Sequence, residues 1–400
     1  MSRVLLLGSY RQSLTIARAL ASSRCQVLLS TTAAEDPNTH SNAVSKGLYL
    51  PPTSEPSRWI DALCQELQND CGITHLFPVG EAELVVLAEY REALPQHVAL
   101  VSPDPDTALA CLDKGLSVDR AQRLRIPVAE SSLVLDYTSL SESIERIGFP
   151  CIVKPNDSSV SIMGQKALII GDWQDLAHQL PSWPQEMERA LVQRFVSGER
   201  HNCHFVAHEG RLVARCEDIV TRSNRANGTG IGVEWLSVPL TEELWEFSSR
   251  LCADLAYNGP GNIQFIRAHD GSDLTFLEFN PRPSFAVGLS VQCGLNLPAI
   301  AVQLSGLQGK PTEQFDAGRQ EASYTTGVKM HTLIGDIESV IAGRSEMSRP
   351  QVFQQLSRAT RSFLSANAHF SWSVRDPMPT LHAYRRLLVR GLRASVRRTS

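Results

Sequence analysis

Over its first hundred residues the chain alternates short, wholly apolar runs with longer stretches whose apolar positions recur every three or four residues. Residues 4–7 and 27–29 read as buried strands, and residues 13–22 between them as an amphipathic helix. The rhythm continues with a helix over 59–67, a strand over 75–78, a helix over 82–94 and a strand over 98–101. Strand–helix–strand repetition of this kind predicts a parallel sheet. The first strand-to-helix turn is Gly8-Ser9-Tyr10, where a dinucleotide-binding fold carries Gly-x-Gly-x-x-Gly. That pattern is missing, so no dinucleotide is assigned here, and a ligand of this part is read as a substrate fragment.

After a linker with Pro103 and Pro105 the pattern changes. A helix running from Lys114 to Leu124 leads to a strand over 152–155, a second over 167–170, a helix over 173–180 and a strand over 190–196, which together read as a small α+β unit. From His201 the strands lengthen, over 203–208, 212–219, 263–268 and 274–279, with a helix over 242–256. The turns His208-Glu209-Gly210 and Asp270-Gly271 supply residues that tolerate positive φ, so these strands are read as antiparallel hairpins. Residues 311–400 carry little pattern until 381–398. There Tyr384, Leu388, Leu392 and Val396 recur every four residues, while Arg386, Arg390, Arg393 and Arg397 occupy another face. This predicts a basic amphipathic helix, interrupted by Gly391, that either meets an anionic membrane surface or polyanionic partner or docks on the acidic body.

Length and charge refine this picture. A chain of 400 residues, 42% hydrophobic and 20% charged, has material for two or three domains and excludes wholesale disorder. The net charge of −4 argues against a protein that coats nucleic acid. The balance is uneven, because the last sixty residues hold eleven Arg, no Lys and two acids. Nine scattered cysteines without a Cys-x-x-Cys pair argue against a disulfide framework or zinc site, and read as buried thiols of a cytoplasmic protein, including Cys25, Cys111, Cys151, Cys252 and Cys293. No apolar run is long enough for a signal peptide or membrane span.

Candidate chemistry concentrates in Leu274-Thr-Phe-Leu-Glu278-Phe-Asn280-Pro-Arg282. In a strand, Glu278, Asn280 and Arg282 line one side at intervals of about 6.6 Å. A carboxylate and an amide oxygen suit Mg²⁺, an arginine suits a phosphoryl oxygen, and Gln264 on the preceding strand has an oxygen within reach of the same ion. The competing reading is a polar face turned to water. Lys114 and Lys154 are point cations suited to phosphates, although either can be an ordinary solvated lysine. The hydroxyl-rich loop Asn156-Asp-Ser158-Ser159-Val-Ser-Ile-Met-Gly164 suits a phosphate-covering turn. Gln193-Arg194-Phe195-Val196 is an apolar strand running into a glycine turn with Glu199 beyond, an arrangement able to read an adenine edge and hold a ribose, or simply a strand and turn.

In this order, Asp113-Lys114, Gly148-Phe-Pro-Cys-Ile-Val-Lys154-Pro, Gln193-Arg-Phe-Val-Ser-Gly-Glu199, Gly261-Asn-Ile-Gln264-Phe and Leu277-Glu278-Phe-Asn280-Pro-Arg282 resemble the ATP-grasp superfamily. The Gln264 and Glu-x-Asn-Pro-Arg patterns are similar to the synthetase domains of the carbamoyl-phosphate synthetase large subunit and to stand-alone carboxylate–amine ligases. The resemblance covers about residues 1–310 and implies an α/β and α+β architecture: an N-terminal Rossmann-like pre-ATP-grasp domain (1–112), a small subdomain (113–200), a large subdomain with the metal site (201–310) and a C-terminal extension (311–400). It implies that Lys114, Lys154, Ser158 and Ser159 meet nucleotide phosphates, Gln193, Arg194, Phe195 and Val196 form the adenine hinge, and Glu199 holds the ribose. Gln264, Glu278 and Asn280 would bind Mg²⁺ or Mn²⁺. Arg282, Lys154 and Arg222 would serve catalysis, Arg222 from the lid segment Arg222-Ser-Asn-Arg225-Ala-Asn-Gly228-Thr-Gly230-Ile-Gly232.

Two departures stand out: serines replace glycines after Lys154, and Gln264 stands where many amide ligases have an acid. The implied reaction phosphorylates a small carboxylate with ATP and couples the acyl phosphate to an amine. The alternatives are phosphorylation of bicarbonate or carbamate, and a non-catalytic ATP-binding sensor or scaffold. Expected partners are small molecules and a second copy in a homodimer, with no nucleic acid; the expected location is cytoplasmic, with peripheral contact at the inner membrane face through the basic helix.

Overall fold

A computed structural model describes residues 1–157, 160–185, 187–225, 230–269, 271, 274–306, 323–343 and 347–396. The chain divides into two compact units, one of Met1–Val101, Val220–Val238 and Pro283–Ser400, the other of Ser102–Ile219 and Pro239–Arg282.

The first unit opens with β1 (Arg3–Leu7), α1 (Arg11–Ser22), β2 (Gln26–Thr31), β3 (Lys46–Tyr49), α2 (Pro56–Asn69), β4 (His75–Pro78), α3 (Glu81–Glu89) and β5 (Ala99–Leu100). All five strands are parallel, in the order β3-β2-β1-β4-β5. The apolar runs are buried strands as the pattern predicted: Val4, Leu5, Leu6 and Leu7 are wholly inaccessible. Leu5, Leu7, Leu28 and Leu76 form one core with Trp59 and Leu63 of α2. The helix expected over 82–94 is shorter. It ends at Glu89 and gives way to a 3₁₀ turn, Arg91–Ala93.

The second unit begins with α4 (Pro105–Leu112) and α5 (Lys114–Arg123), separated by Asp113, whose carboxylate caps α5 by accepting from the Leu116 N–H at 2.9 Å. Then come β6 (Ser131–Val134), α6 (Tyr137–Ile147), β7 (Cys151–Pro155), β8 (Leu168–Ile170), α7 (Trp173–Gln179) and β9 (Ala190–Arg194). These strands make an antiparallel sheet in the order β6-β9-β7-β8, backed by α6 and α7 through Leu140, Ile144, Val153, Leu176 and Val192. The β6–α6 pair has no counterpart in the sequence reading, because Ser131-Ser-Leu-Val134 is too short and too polar to stand out.

Two long strands follow, β10 (Gly198–His208) and β11 (Arg211–Ser223), then β12 (Gly232–Ser237), α8 (Glu242–Asp254), β13 (Gly259–Ala268) and β14 (Leu274–Asn280). Within the second unit the antiparallel order is β14-β13-β10-β11, as the hairpin signals predicted. The β10–β11 turn places Glu209 (φ 49°) and Gly210 (φ 75°) in the left-handed region. Of the other predicted turn, Gly271 has φ 78° and Asp270 lies outside the described residues. One face of this sheet is apolar: Phe205, Ile263, Phe265, Phe276 and Phe279 pack with Leu244 and Leu251 of α8.

The first unit is completed by β12, α9 (Val287–Gln292), α10 (Leu297–Ser305), β15 (Lys329–His331), α11 (Leu333–Gly343), α12 (Arg349–Ser365), β16 (Ala368–His369) and α13 (Met378–Val396). The helix predicted over 381–398 is α13. Its beginning is docked: His382 stacks on His40 with ring centroids 3.8 Å apart, and Arg386 donates to the Glu35 carbonyl at 3.2 Å. Among the described residues no helix is long and apolar enough to cross a membrane.

Candidate active site

The site is built on the second face of the β14-β13-β10-β11 sheet. Register places Glu278 opposite Gln264, Gln264 opposite Asn202, and Asn202 opposite Asp218, so four polar side chains form one row across four strands. Next to it, Asn280 faces Asn262, and Asn262 faces His204. The row depends on an irregularity. Pairing shifts after Gln264, so that Phe265 meets Phe276 and Leu277 is the extra residue. That bulge lets Glu278 share a face with Gln264 while Phe276 turns into the core; in unbroken register one of the two would point the wrong way.

The amides in this row have defined orientations. Asn280 donates its NH₂ group to Glu278 at 2.9 Å, and Gln264 donates its own to the Asn262 side-chain oxygen at 3.3 Å. Both oxygens are therefore the ends not spent on these bonds. With the Glu278 carboxylate they make a hard-donor set that fits Mg²⁺ or Mn²⁺. Only one of the three is charged, and no cluster of three or more His, Cys, Asp or Glu ligands occurs among the described residues. Such a set suits an ion whose shell is completed by phosphate oxygens. Arg282 lies just beyond the strand, which ends at Asn280, so the expected three-residue alternation holds for Glu278 and Asn280 and gives way to a bend at Arg282.

Cations meet this row from the helices and the small sheet. Lys114 and Ser117 of α5 line a pocket with Cys111, Glu278 and Asn280. The Lys114 ammonium donates to the Pro155 carbonyl at 2.9 Å and the Asn156 carbonyl at 3.3 Å, tying α5 to the end of β7. Asn156 completes the tie by accepting from the Gly115 N–H and donating to Asp113, each at 2.9 Å. Lys154, on β7, is buried at 7% exposure rather than solvated. Burial pulls its ammonium down to about 8, against the attraction of Glu278 and with further depression by Lys114. Arg200, which the sequence reading passed over, is likewise lowered by burial while Glu278 and Asp218 hold it charged. Its signal was the alternation of Arg200, Asn202 and His204 with the apolar Cys203 and Phe205 along β10.

The hinge candidates occupy the end of β9. Gln193 is buried, and Arg194 pairs with Glu130 at 2.7 Å. The strand stops at Arg194, two residues earlier than expected. The N–H groups of Arg194 and Phe195 are given to the Glu130 and Pro150 carbonyls at 2.8 and 3.0 Å, so an adenine would have to be read further along, at Val196. Gly198 is required just after: a Cβ there would stand 2.2 Å from the Arg267 carbonyl oxygen on β13. Glu199 does not join the polar row. It lies 3.3 Å from His201, which contacts buried Glu217 at 2.7 Å. Arg222 belongs to the other unit, where it forms a two-pronged pair with Asp336, itself 2.7 Å from His331. Ser158, Ser159 and the lid's Gly228 lie outside the described residues.

The cysteines are all free thiols, with Cys111, Cys151, Cys203, Cys216, Cys252 and Cys293 buried. Cys25, expected among them, is only half-buried, because it sits in the turn just before β2.

A parallel-sheet unit together with antiparallel sheets carrying opposed lysines and a Glu-x-Asn strand defines the ATP-grasp fold. The chain has the ATP-grasp fold, and its residues 186–328 match the family described as "ATP-grasp in the biosynthetic pathway with Ter operon". A carbamoyl phosphate synthase large chain from Clostridium acetobutylicum is 24% identical over 204 residues, covering 49% of this chain and 18% of that one. The chain thus spans under a fifth of that relative. An ADP complex of N5-carboxyaminoimidazole ribonucleotide synthetase superposes with a TM-score of 0.64 at 14% identity, covering 86% of this chain and 85% of that one. An L-amino acid ligase from Bacillus licheniformis gives 0.60 at 15% identity, covering 80% and 77%. At such identities the structural likeness speaks for the fold.

Proposed function

We propose that the chain is an ATP- and Mg²⁺-dependent ligase that converts a small carboxylate to an acyl phosphate and couples it to an amine, releasing ADP and phosphate. The observation that carries this reading is the convergence of Lys114, Glu278 and Asn280 on one pocket, with buried Lys154 electrostatically coupled to Glu278. Phosphoryl transfer asks a protein for positioning and charge neutralisation, and these residues supply both. Lys114 and Lys154 hold the nucleotide phosphates, Glu278, Asn280 and Gln264 hold the metal, and Arg282 steadies the transferred group. The metal, when bound, neutralises phosphate charge and fixes the geometry of the transfer. Val196 and Glu199 serve the adenine and ribose. The relatives' names, a carbamoyl phosphate synthase and an amino acid ligase, support acyl-phosphate chemistry as the class.

Incubation with ATP, Mg²⁺ and a panel of amino acids and other carboxylate–amine pairs is expected to release ADP and phosphate for at least one pair. Glu278→Ala is expected to lower that turnover about 100-fold or more. Full turnover in this variant refutes the metal assignment.

A further inference from the structure

Behind the proposed metal ligands lies a buried polar chain that the site chemistry leaves unused. Asp218, Asn202, His204 and Asn262 are 0%, 3%, 1% and 0% exposed, in a sheet whose opposite face packs the aromatic core. Burying four polar side chains is costly unless every group is satisfied, so their bonding pattern carries information. Asp218 stands three strand spacings from Glu278, about 14 Å, too far to share its metal ion. Whatever it does there, it does through its neighbours.

The hydrogen bonds fix the direction of the whole chain. The Cys203 carbonyl can only accept, so the Asn262 atom 3.3 Å from it is the NH₂ nitrogen. That same nitrogen is 3.3 Å from His204 Nδ1, which must therefore be bare and accepting. The His204 proton then sits on Nε2, which is bonded to the Asp218 carboxylate. Asp218 is held in turn by the Asn202 NH₂ group at 2.7 Å. With its nitrogen spoken for, Asn262 presents its oxygen to Gln264, whose NH₂ group donates to it at 3.3 Å. The end of Gln264 left over is its oxygen, the only atom of that side chain able to ligate a metal.

We propose that Asp218 and His204 act through Asn262 as a positioning relay that keeps the Gln264 side-chain oxygen turned toward the metal. A carboxylate can only accept; it sets the histidine tautomer, the bare Nδ1 together with the Cys203 carbonyl sets one amide, and that amide sets the next. This inference rests on the ligase reading, through its metal site.

The test is Mn²⁺ binding to the full-length protein in the presence of ADP, followed by electron paramagnetic resonance of the free ion. His204→Phe removes one of the two acceptors of the Asn262 NH₂ group, leaving the Cys203 carbonyl, and is expected to weaken Mn²⁺ binding about 10- to 100-fold while leaving metal-free ADP binding unchanged. His204→Asn puts an amide oxygen close to the place of Nδ1 and is expected to restore affinity to within about threefold of the parent. Unchanged Mn²⁺ binding in His204→Phe, or equal loss in both variants, overturns the relay. If the variants do not fold, ¹⁵N–¹H spectroscopy of the imidazoles in the unaltered protein decides it. A proton on Nε2 and a bare Nδ1 at His204 are required, and a proton on Nδ1 overturns the proposal. A parent protein that fails to bind Mn²⁺ with ADP refutes the ligase reading instead, and the tautomer measurement still judges the relay.

Discussion

Lys154→Met separates what this site gives to function from what it costs the fold. The Lys154 ammonium is buried, and burial holds it near 8, against 10.5 for an ordinary lysine. At about 1.4 kcal/mol per pH unit, keeping it charged at pH 7 costs the nucleotide-free fold about 3 kcal/mol. Unfolded chain holds this proton to near 10.5 and the folded chain releases it near 8, so the cost is present in full below pH 8 and fades as pH rises toward 10.5. Methionine has similar length and no charge, so the variant escapes the cost. Calorimetric melting without nucleotide is expected to show Lys154→Met several degrees more stable than the parent at pH 7, at about 2–4 °C per kcal/mol. The difference should shrink between pH 8 and 10. Adding MgADP should reverse the order, because phosphates favour the charged ammonium and stabilise only the parent. A variant no more stable than the parent at pH 7, or a difference that ignores pH, would show that this lysine is not a desolvated charge held ready for phosphate.

Thiol reactivity should follow burial. Burial pushes Cys151 up to about 11 and Cys203 up to about 12, and also raises Cys111 and Cys252, so a water-soluble disulfide reagent at pH 8 should label exposed Cys71 first and reach these four only on unfolding. Mass spectrometry of the labelled native protein checks the order. In the other unit, burial raises the Asp336 carboxyl, but hydrogen bonds and charge from Arg222 and His331 outweigh it and hold it below the ordinary value. That pair stabilises the fold above the ordinary carboxylate value, and the contribution is lost as pH falls through the lower folded one. Arg222→Ala should therefore cost about 3 kcal/mol at neutral pH and raise the pH of acid unfolding, read by circular dichroism. An unchanged acid midpoint would mean that the pair is not a structural tie.

Much of the architecture was legible because it rests on local periodicity. Val4–Leu7, Val27–Leu29 and the 203–208 and 212–219 segments carry their burial in their own sequence. The Glu278–Asn280 alternation likewise gave a correct face, since a strand forces it. What escaped depends on partners distant in the chain. The short strands β6, β15 and β16 are strands only by virtue of the neighbours they pair with. The bulge at Leu277 arises from pairing with Gln264 and has no signature of its own. Lys154 looked like any lysine at a strand end; only the surrounding fold buries it. His204 and Asp218 fell within predicted strands and Arg200 and Asn202 just ahead of one, but their convergence on one face needed the full length of β10 and its register with β11.

The mode of ATP cleavage tests the acyl-phosphate reading most directly. ³¹P magnetic resonance of the full chain with MgATP, a carboxylate labelled with ¹⁸O and an amine should show ADP and inorganic phosphate, with one ¹⁸O atom from the carboxylate carried into the phosphate. AMP and pyrophosphate as products, or phosphate free of the label, would contradict an acyl phosphate formed in this site.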